Sequence, residues 1–430
     1  MPGNEPDTSS LIQLYKNYHL NESKTFCMLP WIHLYTSPGG AAAPCCIAES
    51  CNGDIGVGSS RTQPLMELVN SEKMNKLRMD MLMNIKNDEC IKCHRHDSQN
   101  IPSARKMYTK EYEQFYDEAV ANTNPDGSLK DFKMRYYDVR FSNICNFKCR
   151  TCGSGFSSQW EQEDLKSKVH YARVVPKNDN PNFLEEIKKQ ASNFYSAYFA
   201  GGEPLITEEH YVLLEEMIRK KATYVKLRYN TNMSNLKFKN KDLLGLWKKF
   251  ENPIEIYASV DHYGERAEYI RHGTDWAKVE ENIIEAKKQS FIYLKMNTVL
   301  SVFNFCTIGN FYQYLLDKQL YTHKDQVYTL YNMSVPEHFT AHILPDNLKD
   351  VGRKSLESAI KLLGARHFKP YHIMQLQDAL PWALLYNTWD KHKYAFRSEI
   401  RRVDRLRGEL FENVFPEYRG LLDFDKRAPA

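Results

Sequence analysis

From residue 134 to residue 335 the chain alternates between two periodicities. Runs rich in branched and aromatic residues, the signal of β-strands, occupy 135–141, 195–200, 224–232, 254–261, 291–302 and 326–335. Between them lie stretches with apolar residues three or four apart. One follows Thr207, an N-cap residue type, with Glu208 and Glu209 in the first turn and Tyr211, Leu214 and Ile218 on one face. Residues 276–289 and 308–318 read as further helices. Alternation of this kind predicts parallel βαβ units, and hence an α/β fold with six strands in series.

The N-terminal third is patterned differently. Trp31-Ile32-His33-Leu34-Tyr35 and Ala41-Ala42-Ala43-Pro44-Cys45 flank Ser37-Pro38-Gly39-Gly40, which predicts a hairpin with Gly39 and Gly40 at its turn. Residues 65–83 predict a helix that packs through Leu68, Met74, Leu77, Met81 and Leu82, with Met79 and Met83 beside them. Asn122-Thr123-Asn124-Pro125-Asp126-Gly127-Ser128 is the strongest punctuation in the chain. The expected organisation is a small α+β cysteine-rich domain over 1–121, a linker over 122–131, a parallel-strand domain over 132–345 and a C-terminal helical extension over 346–430. The basic run at 401–407 has mixed signs nearby and reads as a solvated helix face.

Composition narrows the function classes. A net charge of +4 over 430 residues gives no reason to expect nucleic-acid binding. No apolar run approaches the roughly eighteen residues of a membrane span, and the N-terminus lacks a basic start with an apolar stretch behind it. Ten cysteines are too few for a disulfide-dense secreted protein, and their clustering at metal-ligand spacings suits a reducing cytosol, so a cytoplasmic location is expected.

The chemistry lies in those clusters. Cys145-x3-Cys149-x2-Cys152 follows the first strand of the series and offers three thiolates to one metal centre, leaving a fourth position open to a small molecule. The second strand runs into Gly201-Gly202-Glu203-Pro204, where paired glycines let backbone approach a ligand and proline fixes the turn out. Together these motifs resemble the radical S-adenosylmethionine (SAM) superfamily. The resemblance implies a partial (β/α)6 barrel and a [4Fe-4S] cluster on Cys145, Cys149 and Cys152 that binds SAM through its unique iron. It also implies reductive cleavage of SAM to a 5′-deoxyadenosyl radical that abstracts hydrogen from a substrate. Gly201, Gly202, Glu203 and Pro204 would hold the SAM amino group. Ligands in parallel α/β folds sit at the C-terminal strand ends, which adds Asn232, Ser259 and Asp261. Ser259 would contact the ribose, Asp261 is the candidate catalytic side chain, and Arg271 would pair with the SAM carboxylate. Two positions depart from the family pattern. Thr151 stands where an aromatic residue or Met often packs near the adenine, with Phe147 as a substitute in the same loop, and Asn297-Thr298-Val299-Leu300 replaces a glycine-containing strand.

The N-terminal domain holds a second set. Cys90-x2-Cys93 is a two-ligand knuckle, and Cys27 and Cys45, at the two ends of the expected hairpin, are its complement. Cys46 and Cys51 compete for the same roles, as do His94 and His96 less strongly. A structural zinc is the alternative occupant. The order Cys27-x12-Gly40-x4-Cys45, then Cys90-x2-Cys93, resembles the auxiliary-cluster domains called SPASM and twitch, in the shorter one-cluster twitch form, although such domains usually follow the barrel. The resemblance implies an auxiliary [4Fe-4S] cluster, net oxidation or crosslinking of a peptide or protein side chain, and an electron donor such as flavodoxin or ferredoxin. Oxidation of a small sugar or metabolite is the alternative activity, and an inactive metal-stabilised binding protein the alternative class. Cys306 reads as a small buried hydrophobe.

Overall fold

Each stretch expected as a strand after residue 134 contains one: Tyr136–Val139, Ser196–Phe199, Lys226–Thr231, Ile254–Ser259, Ile292–Leu300 and Thr329–Asn332. The computed structural model describes residues 8–52, 56–167, 178, 180–322 and 329–423, so 326–328 and 424–430 of the expected elements lie outside the described residues. Buried and half-buried positions alternate along Lys226–Thr231 and Ile254–Ser259, as the sequence alternates. Tyr136–Val139 is buried at all four positions.

The chain divides into two units. The first comprises 1–143, 175–228 and 248–252; the second comprises 144–174, 229–247 and 253–430. In the first unit Tyr136–Val139 pairs in parallel with Ser196–Phe199, through Tyr136↔Ser196 and Tyr137↔Ala197. It also pairs in parallel with His33–Thr36, from His33↔Tyr136 to Thr36↔Val139. His33–Thr36 is the first arm of the expected hairpin. It pairs antiparallel with Ala41–Ala43, which in turn pairs with Gly58–Ser59. The turn closes through Ser37 N–H to Ala41 O (2.9 Å) and Gly40 N–H to Ser37 O (2.8 Å), with Gly40 at φ +84°. The hairpin is therefore as expected, except that Trp31 and Ile32 belong to a buried helical turn, Leu29–Ile32, with Pro30 in its first turn.

Residues 65–83 form two helices, Leu65–Val69 and Glu72–Leu82. The break falls at Asn70, whose amide is taken by the backbone of Leu129, donating to its carbonyl (3.0 Å) and accepting from its N–H (2.8 Å). Leu68, Met74, Leu77 and Met81 are buried as expected. So is Arg78, which spends its guanidinium on the carbonyls of Gly127, Pro30 and Val69. Residues 122–131 form a turn closed by the Thr123↔Leu129 bridge. Thr207 precedes Glu208–Arg219, but its hydroxyl donates to Pro204 O (2.9 Å) instead of capping the helix.

In the second unit Ile254–Ser259, Ile292–Leu300 and Thr329–Asn332 run parallel, with Ser259↔Asn297 and Leu300↔Asn332 at the C-terminal ends of the pairings. Trp276–Lys287 and Ile308–Asp317 are helices as expected. The helices Asp346–Ala365, Pro370–Leu384 and Trp389–Arg407 follow. The run at 401–407 is a solvated face only in part: Arg405 and Leu406 are exposed, but Val403 and Asp404 are buried, and the Arg407 side chain is fully covered. Cys306 is buried and donates to Leu348 O. Among the described residues no helix is long and apolar enough to cross a membrane.

Candidate functional site

In the second unit the loop from Cys145 to Cys152 is held by a short ladder. Lys148–Cys149 pairs antiparallel with Arg271–His272, placing Cys149 opposite Arg271. Phe147 N–H points at Cys145 Sγ (3.4 Å), and Cys152 N–H donates to Cys149 O (3.0 Å). The buried Trp160 also donates its indole N–H to Cys149 O (2.7 Å). Gly273 lies at φ +102°, and a Cβ there would come within 2.8 Å of Asn146 O, so the loop after Arg271 passes the cysteine loop at a distance only glycine allows. Phe147 is buried in this loop.

Arg271 reaches both ways. Its Nε is 2.9 Å from Asp261 Oδ2 and its Nη1 is 3.9 Å from Cys149 Sγ. Burial opposes its charge, but Asp261 and the Cys149 thiol beside it keep the guanidinium ionised. Asp261 is 1% exposed and accepts Val299 N–H on its other oxygen (2.9 Å). That arrangement makes Asp261 the group that aims Arg271. Burial pushes the Cys149 thiol up to about 12, partly offset by Arg271, and raises Cys152 as well. Asn232 is buried and gives its amide N–H to Asn146 Oδ1 (3.0 Å), tying the third strand of the series to the cysteine loop. Ser259 ends its strand half-buried.

In the first unit Gly201 (φ +83°) and Gly202 (φ +53°) turn the chain after Ser196–Phe199. A Cβ on Gly201 would lie 2.5 Å from Arg140 Cδ, so any other residue here meets both a steric and a backbone cost. Glu203 is buried and accepts Leu205 N–H (3.0 Å), which fixes the turn through Pro204.

The same unit carries the second cysteine set. Cys27, Cys45, Cys90 and Cys93 line one cavity of about 80 Å³, together with Cys46, His33, Arg105, Tyr108 and Tyr136. Burial raises all four thiols, Cys27 to about 12, and neighbouring thiols raise three of them further: Cys27 feels Cys93, Cys45 feels Cys46 first and then Cys27 and Cys90, and Cys90 feels Cys27 and Cys93. Backbone N–H groups point at three of the sulfurs, Leu29 at Cys27, Ile47 at Cys45, and Ala104 with Arg105 at Cys93. Soft donors spread around a cavity, N–H bonds to sulfur and a buried guanidinium to offset thiolate charge suit an iron–sulfur cluster. Among the described residues no three His, Cys, Asp or Glu side chains converge on a point fit for a single metal ion. Burial also raises Cys46 and Cys51, with Asp138 and Arg140 the nearest charged groups besides each other; Cys46 lines the same cavity and acts on Cys45, whereas Cys51 bonds to Tyr35. His94 is half-buried and His96 exposed, and neither lines the cavity.

Sequence reasoning missed Arg105 and His33. Arg105 is 4% exposed, held by Phe26 O (2.8 Å) and Asp97 (2.7 Å). His33 is fully buried on its strand, with Nδ1–H donating to Tyr136 O (2.9 Å). No spacing rule marks either residue, because each belongs to the site only through long-range packing.

Two family models match parts of this chain. Residues 139–315 match the family model of the Radical SAM superfamily, and residues 27–94 match that of SPASM, an iron–sulfur cluster-binding domain. Among solved structures, native anSMEcpe with bound AdoMet matches 52% of this chain at 18% identity and a TM-score of 0.37; the match spans 60% of that chain, less than two thirds of its length. SuiB of Streptococcus suis bound to precursor peptide SuiA matches 83% of this chain and 74% of its own, at 15% identity and a TM-score of 0.37. No curated protein matches the sequence.

Proposed function

We propose that this chain, a radical SAM enzyme carrying a SPASM-type iron–sulfur domain ahead of its radical SAM domain, modifies a peptide or protein side chain. The observation that carries the reading is the cavity walled by Cys27, Cys45, Cys90 and Cys93, a complete four-thiol set in addition to the Cys145, Cys149 and Cys152 triplet. Bound clusters and SAM supply a hydrogen-abstracting radical and an acceptor for the electron the substrate gives up. Cys145, Cys149 and Cys152 would hold the cluster, and Arg271, kept ionised and aimed by Asp261, would take the SAM carboxylate. Gly201 and Gly202, the turn that the family resemblance assigns to the SAM amino group, are fixed in the first unit by the buried Glu203. Domains of the SPASM and twitch type accompany enzymes that act on peptides, protein side chains and small sugars, and a net oxidation uses an electron acceptor of this kind. A small electron-transfer protein such as flavodoxin or ferredoxin is the expected reductant.

The deciding experiment feeds the reconstituted, reduced protein a peptide encoded beside its gene, deuterated at side-chain carbons. Deuterium in 5′-deoxyadenosine together with a mass change in the peptide supports the reading. Transfer from a sugar or other small metabolite, with none from peptides, would replace it with oxidation of a metabolite.

A further inference from the structure

Cys149 is flanked by two cations, Lys148 and Arg150, and both are anchored to the C-terminal helix Trp389–Arg407 or the turn behind it. Lys148 pairs with Glu163 (2.7 Å), which also takes Arg407 (3.0 Å). Arg150, with 1% of its side chain exposed, sits over the Tyr269 ring with its guanidinium carbon 3.7 Å from the centroid. It pairs with Asp404 (2.5 Å) and with Glu409. Asp404 also accepts the Tyr269 hydroxyl (2.7 Å) and Phe411 N–H (2.8 Å).

Glu409 reaches its place because Gly408, at φ +67°, ends the helix in a left-handed turn. From there its carboxylate meets Arg150 with one oxygen and His272 Nδ1 (2.5 Å) with the other. Arg150 follows Cys149 and His272 follows Arg271, so one carboxylate spans both strands of the ladder that sets Cys149 opposite Arg271. Arg150 N–H adds a bond to Ile270 O (2.7 Å) across the same ladder.

Buried charges arranged in this way add little net stability over apolar packing, because desolvation offsets much of the attraction; what they supply is register. A one-residue slip of the ladder would turn Arg271 away from the cysteine loop. We propose that Glu409 and Asp404 are positioning residues for SAM binding: the C-terminal helix staples the Cys149–Arg271 register and thereby sets where the guanidinium stands relative to the cluster thiols. The inference rests on the functional reading above.

The test uses the full-length reconstituted protein and compares wild type with Glu409→Gln and Arg150→Lys. Glu409→Gln keeps the shape but removes the charge, and Arg150→Lys keeps the charge but loses the fork. Both should retain the iron of the triplet and remain folded at the assay temperature, although removing one partner of a buried pair lowers the melting temperature. Both should raise KM for SAM by about tenfold, the effect of one charge-assisted hydrogen bond, with kcat changed much less. The change that SAM causes in the EPR spectrum of the reduced cluster should weaken in parallel. Asp404→Asn should act in the same direction, and Glu409→Gln keeps the test valid if Asp404→Asn fails to fold. Wild-type KM and an unchanged SAM-dependent spectrum in Glu409→Gln would overturn the inference. A wild-type protein that forms no 5′-deoxyadenosine would instead overturn the functional reading.

Discussion

Asp261 holds Arg271 at 2.9 Å from a position almost closed to solvent, and Arg271 in turn reaches toward the Cys149 sulfur. The pair makes the two residues separable by experiment. Arg271→Ala should weaken SAM binding by about 1.5–3 kcal/mol, the range for hydrogen bonds to charged groups. Asp261→Asn should weaken it in the same direction, because the guanidinium loses its anchor. Calorimetry on the reconstituted protein reads both. If Asp261→Asn abolished turnover with SAM affinity intact, Asp261 would be a catalytic residue and not the group that aims Arg271.

Cys149→Ala leaves two thiols in the barrel loop. The expected outcome is loss of the iron held there and of all 5′-deoxyadenosine formation, measured by iron assay and chromatography. Wild-type product formation in this variant would dismiss the triplet as the cluster site.

The cavity in the first unit gives a cleaner dissection. Anaerobic reconstitution should load about eight irons per chain if both clusters are of the four-iron type. The quadruple Cys27, Cys45, Cys90 and Cys93→Ala variant should lose half of them, retain uncoupled SAM cleavage and make no product. Cys46→Ala with Cys51→Ala should keep the full iron content, because Cys27, Cys45, Cys90 and Cys93 already supply four thiols; loss of iron would bring Cys46, which lines the same cavity, into the ligand set. Four irons with tightly bound zinc in the wild type would reassign the cavity to zinc.

Gly201→Ala places a methyl group against Arg140 in a backbone conformation that disfavours it. The expected cost is about 1–3 kcal/mol of stability, the usual range for overpacking, read by denaturant unfolding. Loss of SAM binding at temperatures where the variant is folded would show that the turn itself, and not only the fold, is disturbed.

Two histidines predict acid sensitivity. Burial depresses His210 and His262 to about 3, so both are neutral in the folded chain near neutral pH. His262 accepts Tyr263 N–H on Nδ1 (3.0 Å) and contacts Thr307 through Nε2 (3.1 Å). Unfolded histidines gain protons as pH falls through about 6.5, so the unfolded state binds more protons than the native one and stability rises with pH. Between pH of about 6 and 4, each should lower the unfolding free energy by roughly 1.4 kcal/mol per pH unit. His262→Gln should flatten that slope in urea titrations, and an unaltered slope would remove His262 from the account.

The strands were readable because half-buried strands alternate, and Lys226–Thr231 and Ile254–Ser259 do so residue by residue. The cysteine sites were readable because ligand spacing is local. What escaped was long-range or charged. Arg150 and Asp404 are 254 positions apart, and both belong to residue types that normally face water, so nothing in the sequence near either one marks their pairing. The same holds for Arg105 and Arg78, whose burial is made tolerable by carbonyls supplied from distant segments. The helix expected over 65–83 was divided by a contact with Leu129, which local propensity does not contain.

Because His33–Thr36 pairs in parallel with Tyr136–Val139, and Tyr136 lines the cysteine cavity, Cys27, Cys45, Cys90 and Cys93 cannot be enclosed when they first leave the ribosome. Their last wall is translated about forty residues after Cys93, a delay of a few seconds at ordinary synthesis rates. A nascent chain paused before that point would present its thiols to solvent and to any iron donor at hand. Closure, and protection from oxidants, would begin only when the later strand emerges.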